Sequence, residues 1–126
     1  MKYQSILLID DDEDDHEIFL SAIKELELPI HCTGMMEATK ALAKLAAKEI
    51  APDVIFLDLN MPVMNGQQFL VEIKKNTALK NIPVIIFSTS SHFSTIQLVK
   101  ELGAQHFITK PDKYADLVNI LKPLLS

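Results

Sequence analysis

Five side chains able to do ionic chemistry stand at the ends of short apolar runs. Asp10 and Asp11 follow Ser5-Ile6-Leu7-Leu8-Ile9, and Asp58 follows Val54-Ile55-Phe56-Leu57. Ser88 follows Val84-Ile85-Ile86-Phe87, and Lys110 follows His106-Phe107-Ile108-Thr109. Gathered at one place, the three carboxylates would repel one another, by about 4 kcal/mol per pair at ~4 Å and an effective dielectric near 20. A lysine offsets part of that repulsion, and a hard divalent cation offsets more. Mg²⁺ suits such a cluster, because it takes one or two carboxylates, retained waters and phosphate oxygens. A carboxylate held between a cation and a lysine can attack a phosphoryl group. The same two charges would stabilise the three equatorial oxygens in the transition state. The chemistry these residue types point to is phosphoryl transfer onto an aspartate.

That chemistry requires elements which bring distant positions to one rim. Short continuous apolar runs alternate with helical patterns five times. Ile18, Phe19, Ala22, Ile23 and Leu26 mark the apolar face of a first helix, closed by Pro29. Ile30 to Thr33 reads as a weak second strand ended by Gly34. A second helix comes next, with Ala38, Ala41, Leu42 and Leu45 inward and Lys40, Lys44 and Lys48 outward. Pro52 precedes the third strand. A loop from Asn60 to Gly66 leads to a third helix through Phe69, Leu70 and Ile73. Pro83 precedes the fourth strand. Ser94 is a candidate cap for a fourth helix carrying Ile96, Val99 and Leu102 and stopped by Gly103. Asp112 or a neighbour starts a last helix with Leu117, Val118, Leu121 and Leu125, which Pro123 is expected to kink or shorten. Strands alternating with helices of this length imply right-handed crossovers and an α/β fold with a parallel sheet covered on both faces. In such sheets ligands bind beyond the carboxyl ends of the strands, where the five polar residues stand.

The chain has 126 residues, 48% of them apolar and 23% charged, the proportions of one globular domain. Its net charge is −5, and its 12 basic residues are all lysine, so no arginine-rich patch exists for nucleic acid. One cysteine, Cys32, excludes a disulfide framework and a cysteine zinc site, and is expected to be a small buried hydrophobe. No apolar run approaches the roughly 18 residues of a membrane span. Met1-Lys2-Tyr3-Gln4 leads straight into the first run, so no signal peptide is expected, and the cytoplasm is the expected location. The acidic run Asp10 to Asp15 is read in two parts. Asp12, Glu13, Asp14 and Asp15 belong to a helix's first turn, where acids favour the positive dipole end. An EF-hand loop does not fit, since its sixth and twelfth positions counted from Asp10 are Asp15 and Ser21 rather than glycine and glutamate. His16 is expected on the surface. His31, His92 and His106 share no metal-ligand spacing. Met35, Met36, Met61 and Met64 read as packing or loop residues.

The acidic pair after the first strand, Asp58-Leu59-Asn60-Met61-Pro62 with Gly66 eight residues past Asp58, the Ser88 hydroxyl and Lys110-Pro111 together resemble the response-regulator receiver domain of two-component signalling, over Ile6 to about Leu125. The resemblance implies a flavodoxin-like, doubly wound five-stranded sheet of order 2-1-3-4-5, as a single receiver domain over 1–126 without an output domain. It implies Asp58 as phosphoacceptor and Asp11 as the direct Mg²⁺ carboxylate. Asp10 would act on the metal through water, Asn60 would offer its backbone carbonyl, and Asp58 would complete the ligand set. Ser88 and Lys110 would hold phosphoryl oxygens. Ser88 and Phe107 would form the switch, read out on the fourth helix, fifth strand and fifth helix.

The implied partners are a sensor histidine kinase or phosphotransfer protein and a downstream protein target, with a homodimer through that same face as a further one. No direct nucleic-acid contact and no membrane insertion are expected. Nor is enzymatic activity expected beyond the domain's own phosphoryl transfer and autodephosphorylation. Three positions depart from the family's commoner residues: Ser88 for threonine, Phe107 for tyrosine, and Asp112 after Lys110-Pro111. The competing readings are weaker. A haloacid-dehalogenase-like phosphatase needs Asp two residues past its nucleophile, where this chain has Asn60. A flavodoxin-like cofactor binder needs a hydroxyl- and glycine-rich loop after the first strand, where this chain has six acids. A phosphorylation-independent pseudo-receiver would not need the full set of Asp10, Asp11, Asp58, Ser88 and Lys110.

Overall fold

The computed structural model describes residues 3–126; Met1 and Lys2, half of the lead-in to the first strand, lie outside the described residues. Among the described residues five strands and five helices alternate. They are β1 (Ser5–Ile9), α1 (Glu13–Glu25), β2 (His31–Met35), α2 (Ala38–Ala46), β3 (Val54–Leu57), α3 (Gly66–Lys75), β4 (Val84–Ser88), α4 (Phe93–Glu101), β5 (His106–Thr109) and α5 (Tyr114–Leu125). All pairings are parallel and the sheet order is β2-β1-β3-β4-β5. The chain winds outward from β1 in one direction to β2 and then in the other to β3, β4 and β5. The carboxyl ends of β1 and β3 therefore flank the point where the winding reverses, which opens a crevice there.

Alternation along each central strand sorts the core into two layers. Ile6, Leu8, Val54, Phe56, Ile85 and Phe87 face Phe19, Ala22 and Ile23 of α1 and Leu117, Leu121 and Leu125 of α5. Leu7, Ile9, Ile55, Leu57, Val84 and Ile86 face α2, α3 and Val99 of α4. Both faces are covered, which is why these strands read as unbroken apolar runs. Each fully buried Leu, Ile or Phe contributes on the order of 1.5–3 kcal/mol.

Several local expectations are corrected by packing. Gly34 does not end the second strand but lies inside β2, paired with Leu8. Ile18 is 45% exposed, and the inward stripe of α1 is His16, Phe19, Ala22 and Ile23. His16 is thus buried rather than a surface residue. Cys32 is only partly buried; desolvation still pushes its thiol up to about 12. The N-cap of α4 is His92, and Ser94 lies within the helix. The N-cap of α5 is Lys113, the neighbour of Asp112, within what the sequence allowed. Pro123 does not stop α5, which continues to Leu125. The bond that the proline removes lies on the exposed side, while Leu121 and Leu125 stay buried and hold the last turn to the sheet.

Candidate functional site

Asp12 caps α1, its side chain accepting from the N–H groups of Asp14 at 2.9 Å and Asp15 at 3.3 Å. This turn sends the chain away from β1 immediately after Asp10 and Asp11. The N–H of Asp10 donates to Met35 O at 3.1 Å, and that of Asp58 donates to Ile9 O at 2.9 Å. These two bonds extend the β2–β1 and β1–β3 ladders past the strand ends and bring the acids to one rim. Across the crevice the N–H of Lys110 donates to Ser88 O at 2.8 Å, setting β5 beside β4.

The loop after Asp58 is held by α3. Asn65 and Gln68 form a reciprocal capping box, with both bonds at 2.9 Å. Gly66 donates to Leu59 O at 3.0 Å. A Cβ on Gly66 would collide with the Asp58 carbonyl oxygen and lie 2.8 Å from Leu59 Cα, so only glycine lets α3 start this close to Asp58. Asn60 lies on this loop, exposed.

Carboxylate oxygens of Asp10, Asp11 and Asp58 all lie within 4.8 Å of one another. Asp10 and Asp58 are buried and Asp11 is exposed, so one carboxylate reaches out while two are fixed. The donor set is all oxygen and rich in negative charge, which fits a hard divalent cation such as Mg²⁺. Burial pushes the Asp58 carboxyl up to about 6; the charge of Lys110 opposes this, the charge of Asp10 adds to it, and the Leu59 amide and Ser88 hydroxyl favour the ionised form. Asp10 is also raised, by burial against the pull of Lys110 and the Asp12 amide. Burial draws Lys110 downward, but its bonds to Asp10 and Asp15 and the charges of Asp10 and Asp58 leave it raised overall. These carboxylates are short of positive charge.

Lys110 divides itself unevenly. Its Nζ donates to Asp10 Oδ2 at 2.8 Å and to Asp15 Oδ2 at 2.7 Å, and stands 3.8 Å from Asp58 Oδ1. The Phe87 ring centroid lies 5.6 Å from it. Asp15 was assigned only to the helix's first turn by the sequence. The one available signal was its place in the first turn of α1, directly after the rim acids. His16 was also missed. Its Nε2 is 2.6 Å from Asp10 O, and its spacing of three from Phe19 put it on the buried stripe.

Ser88 is fully buried, and its hydroxyl accepts from Ser90 N–H at 3.4 Å. Phe107 is half-buried against the layer of α2, α3 and α4. Together with Ile96, Val99 and Ala104 it lines a surface cavity of about 220 Å³ between α4 and β5. His31, His92 and His106 are exposed and lie in no group of metal-ligating side chains among the described residues.

A fold of this topology, with acids at the ends of β1 and β3 and a lysine at the end of β5, defines a class of signalling module. A model of the response regulator receiver domain matches residues 6–122, and the chain belongs to that family. Two-component response regulator ORR8 from Oryza sativa subsp. indica is 30% identical, over 97% of this chain and 98% of its own length. The phosphorylated cyanobacterial phytochrome response regulator RcpA superposes with a TM-score of 0.88 at 31% identity, covering 97% of this chain and 91% of that one. The Mn²⁺-bound form of response regulator Rcp1 superposes with a TM-score of 0.86 at 28% identity, covering 96% and 91%. This chain is thus a receiver domain of the two-component response regulators. No helix among the described residues is long and apolar enough to cross a membrane.

Proposed function

We propose that Asp58 accepts a phosphoryl group from the phosphohistidine of a sensor kinase or phosphotransfer protein, assisted by a divalent cation, Mg²⁺. The observation that carries this reading is the convergence of Asp58 with Asp10, Asp11 and Lys110 at one rim. An Asp58 carboxylate oxygen attacks phosphorus and forms an acyl phosphate. The P–N bond breaks, and its electron pair stays on the imidazole, which takes a proton from water. Asp11, Asp58, the Asn60 carbonyl and, through water, Asp10 would hold the cation. Bound there, it supplies positive charge against the carboxylates and the phosphoryl oxygens. Lys110 stabilises a second phosphoryl oxygen, and the Ser88 hydroxyl donates to a third. The phosphorylated state of RcpA and the Mn²⁺-bound state of Rcp1 support this for relatives of the same fold.

Output runs through a protein partner that meets the face of α4, β5 and α5. Ser88 moves toward the phosphoryl group, and Phe107 turns into the space it leaves. Lacking a hydroxyl, Phe107 leaves no polar group unpaired when buried, so its inward state costs less than a tyrosine's. The test is incubation with Mg²⁺ and a small phosphodonor, then intact-mass measurement. One phosphoryl unit is expected on the wild type and none on Asp58→Asn. An unmodified wild type would instead favour a binding module that works without phosphorylation.

A further inference from the structure

Asp10 is held by its peptide groups as well as by its carboxylate. Its N–H donates to Met35 O at 3.1 Å. Its carbonyl oxygen, part of the peptide that joins Asp10 to Asp11, stands 2.6 Å from His16 Nε2. A carbonyl oxygen only accepts, so Nε2 carries a proton and donates it. His16 is 8% exposed, so the ring makes this bond from inside the fold. Its room comes from β2. A Cβ on Gly34 would collide with His16 Nδ1 and lie 2.9 Å from Cε1. Gly34 carries no positive φ, so its backbone does not require glycine; the ring does.

We propose that His16 is a positioning residue for the cation site. By fixing the Asp10–Asp11 peptide plane it sets the direction in which Asp11 presents its carboxylate, and Gly34 is the space that the ring needs to reach that plane. Asp11 is the exposed member of the three acids, so its direction depends most on the backbone that carries it. The inference rests on the metal-assisted reading above. Loss of an outer partner of this kind typically weakens metal affinity 10- to 100-fold. A partner acting through the backbone belongs at the lower end.

The experiment is Mn²⁺ binding, read from the electron paramagnetic resonance signal of free Mn²⁺, with melting in EDTA measured in parallel. His16→Leu removes the donor at similar volume, and Gly34→Ala displaces the ring while keeping the donor. Each is expected to weaken Mn²⁺ binding by about tenfold. His16→Gln, which restores an N–H near the Nε2 position, should recover most of the affinity. Ile23→Val, a core change elsewhere on α1, should lower melting without moving Mn²⁺ affinity. In a His16→Ala background Gly34→Ala should have no further effect on Mn²⁺. If His16→Leu and Gly34→Ala bind Mn²⁺ as the wild type does, while Asp11→Ala does not, the inference falls and the metal site stands. If His16→Gln binds as poorly as His16→Leu, the donated bond is not the cause and the inference also falls. A wild type that does not bind Mn²⁺ overturns the metal-assisted reading itself.

Discussion

Lys110 Nζ is 2.7 Å from Asp15 Oδ2 but 3.8 Å from Asp58 Oδ1. The lysine assigned to the phosphoryl group is therefore committed elsewhere in the unphosphorylated protein, and Asp15 is the carboxylate that competes for it. A phosphoryl group on Asp58 must draw Lys110 away from Asp15 and also tolerate Asp15's charge. Asp15→Asn is expected to raise affinity for beryllofluoride, a phosphoryl mimic, by roughly fivefold. That corresponds to about 1 kcal/mol for a partly exposed ion pair. Unchanged or weaker beryllofluoride binding in calorimetry would show that Asp15 does not restrain the lysine.

Asp58 has its carboxyl raised from 3.8 to about 6, chiefly by burial. Well below the unfolded value of 3.8 both the folded and unfolded chains carry it protonated, and the raised value adds its full stability. As pH climbs from about 4 to 6, the unfolded chain ionises first, so that contribution drains away and is gone above the folded value. Asp58→Asn should therefore be more stable than the wild type at pH 7 in EDTA, by on the order of 3 kcal/mol. The gap should close toward pH 4. Urea midpoints for both proteins across pH 4 to 7.5 check this, and a gap that ignores pH would contradict the buried-carboxylate account.

Divalent metal should stabilise the unphosphorylated fold, because on the proposed reading the gathered acids would bind it and the unfolded chain would not. At a hundredfold excess over its dissociation constant, the gain is about 2.7 kcal/mol. Thermal melts with EDTA and with millimolar Mg²⁺ measure it. An equal upward shift in Asp11→Ala would place the cation elsewhere.

Val63, on the loop after Asp58, is 94% exposed and has φ of 68°. A β-branched side chain in the left-handed region costs roughly 1–2 kcal/mol. The conformation persists because the capping box at Asn65 and the Gly66 contact hold the loop's far end. Val63→Gly removes the clash but frees the unfolded chain, so a net gain of about 1 kcal/mol is expected. A lower urea midpoint than wild type would mean that the valine's contacts outweigh its strain.

Ser88→Ala should leave Asp58 able to take the phosphoryl group while uncoupling it from α4, β5 and α5. Amide chemical shifts across residues 88–122, with and without beryllofluoride, report the coupling. The variant is expected to keep shifts close to Asp58 and lose those around Phe107. A full response on that face without the Ser88 hydroxyl would route the switch through other residues.

Much of this protein was legible in one dimension because its rules are local. A strand covered on both faces must be apolar throughout, so β1, β3 and β4 announced themselves, and the residues after them named most of the rim. Asp10, Asp11, Asp58, Ser88 and Lys110 were legible because each stands at the carboxyl end of an apolar run. Both edge strands carry a weaker apolar signal; β5 was still legible at its bounds, whereas the end of β2 was placed too early because Gly34 passed for a stop. What the tertiary structure alone decided is which side chain each of these residues touches. Lys110 meets Asp10 and Asp15 across 100 and 95 residues, a choice set by how α1 packs beside α5. His16 is buried because β2 pairs with β1 in the register that sets Gly34 opposite Leu8 and so leaves room for a ring. Register and packing angle come from the whole core settling at once, and no window of neighbouring residues contains them.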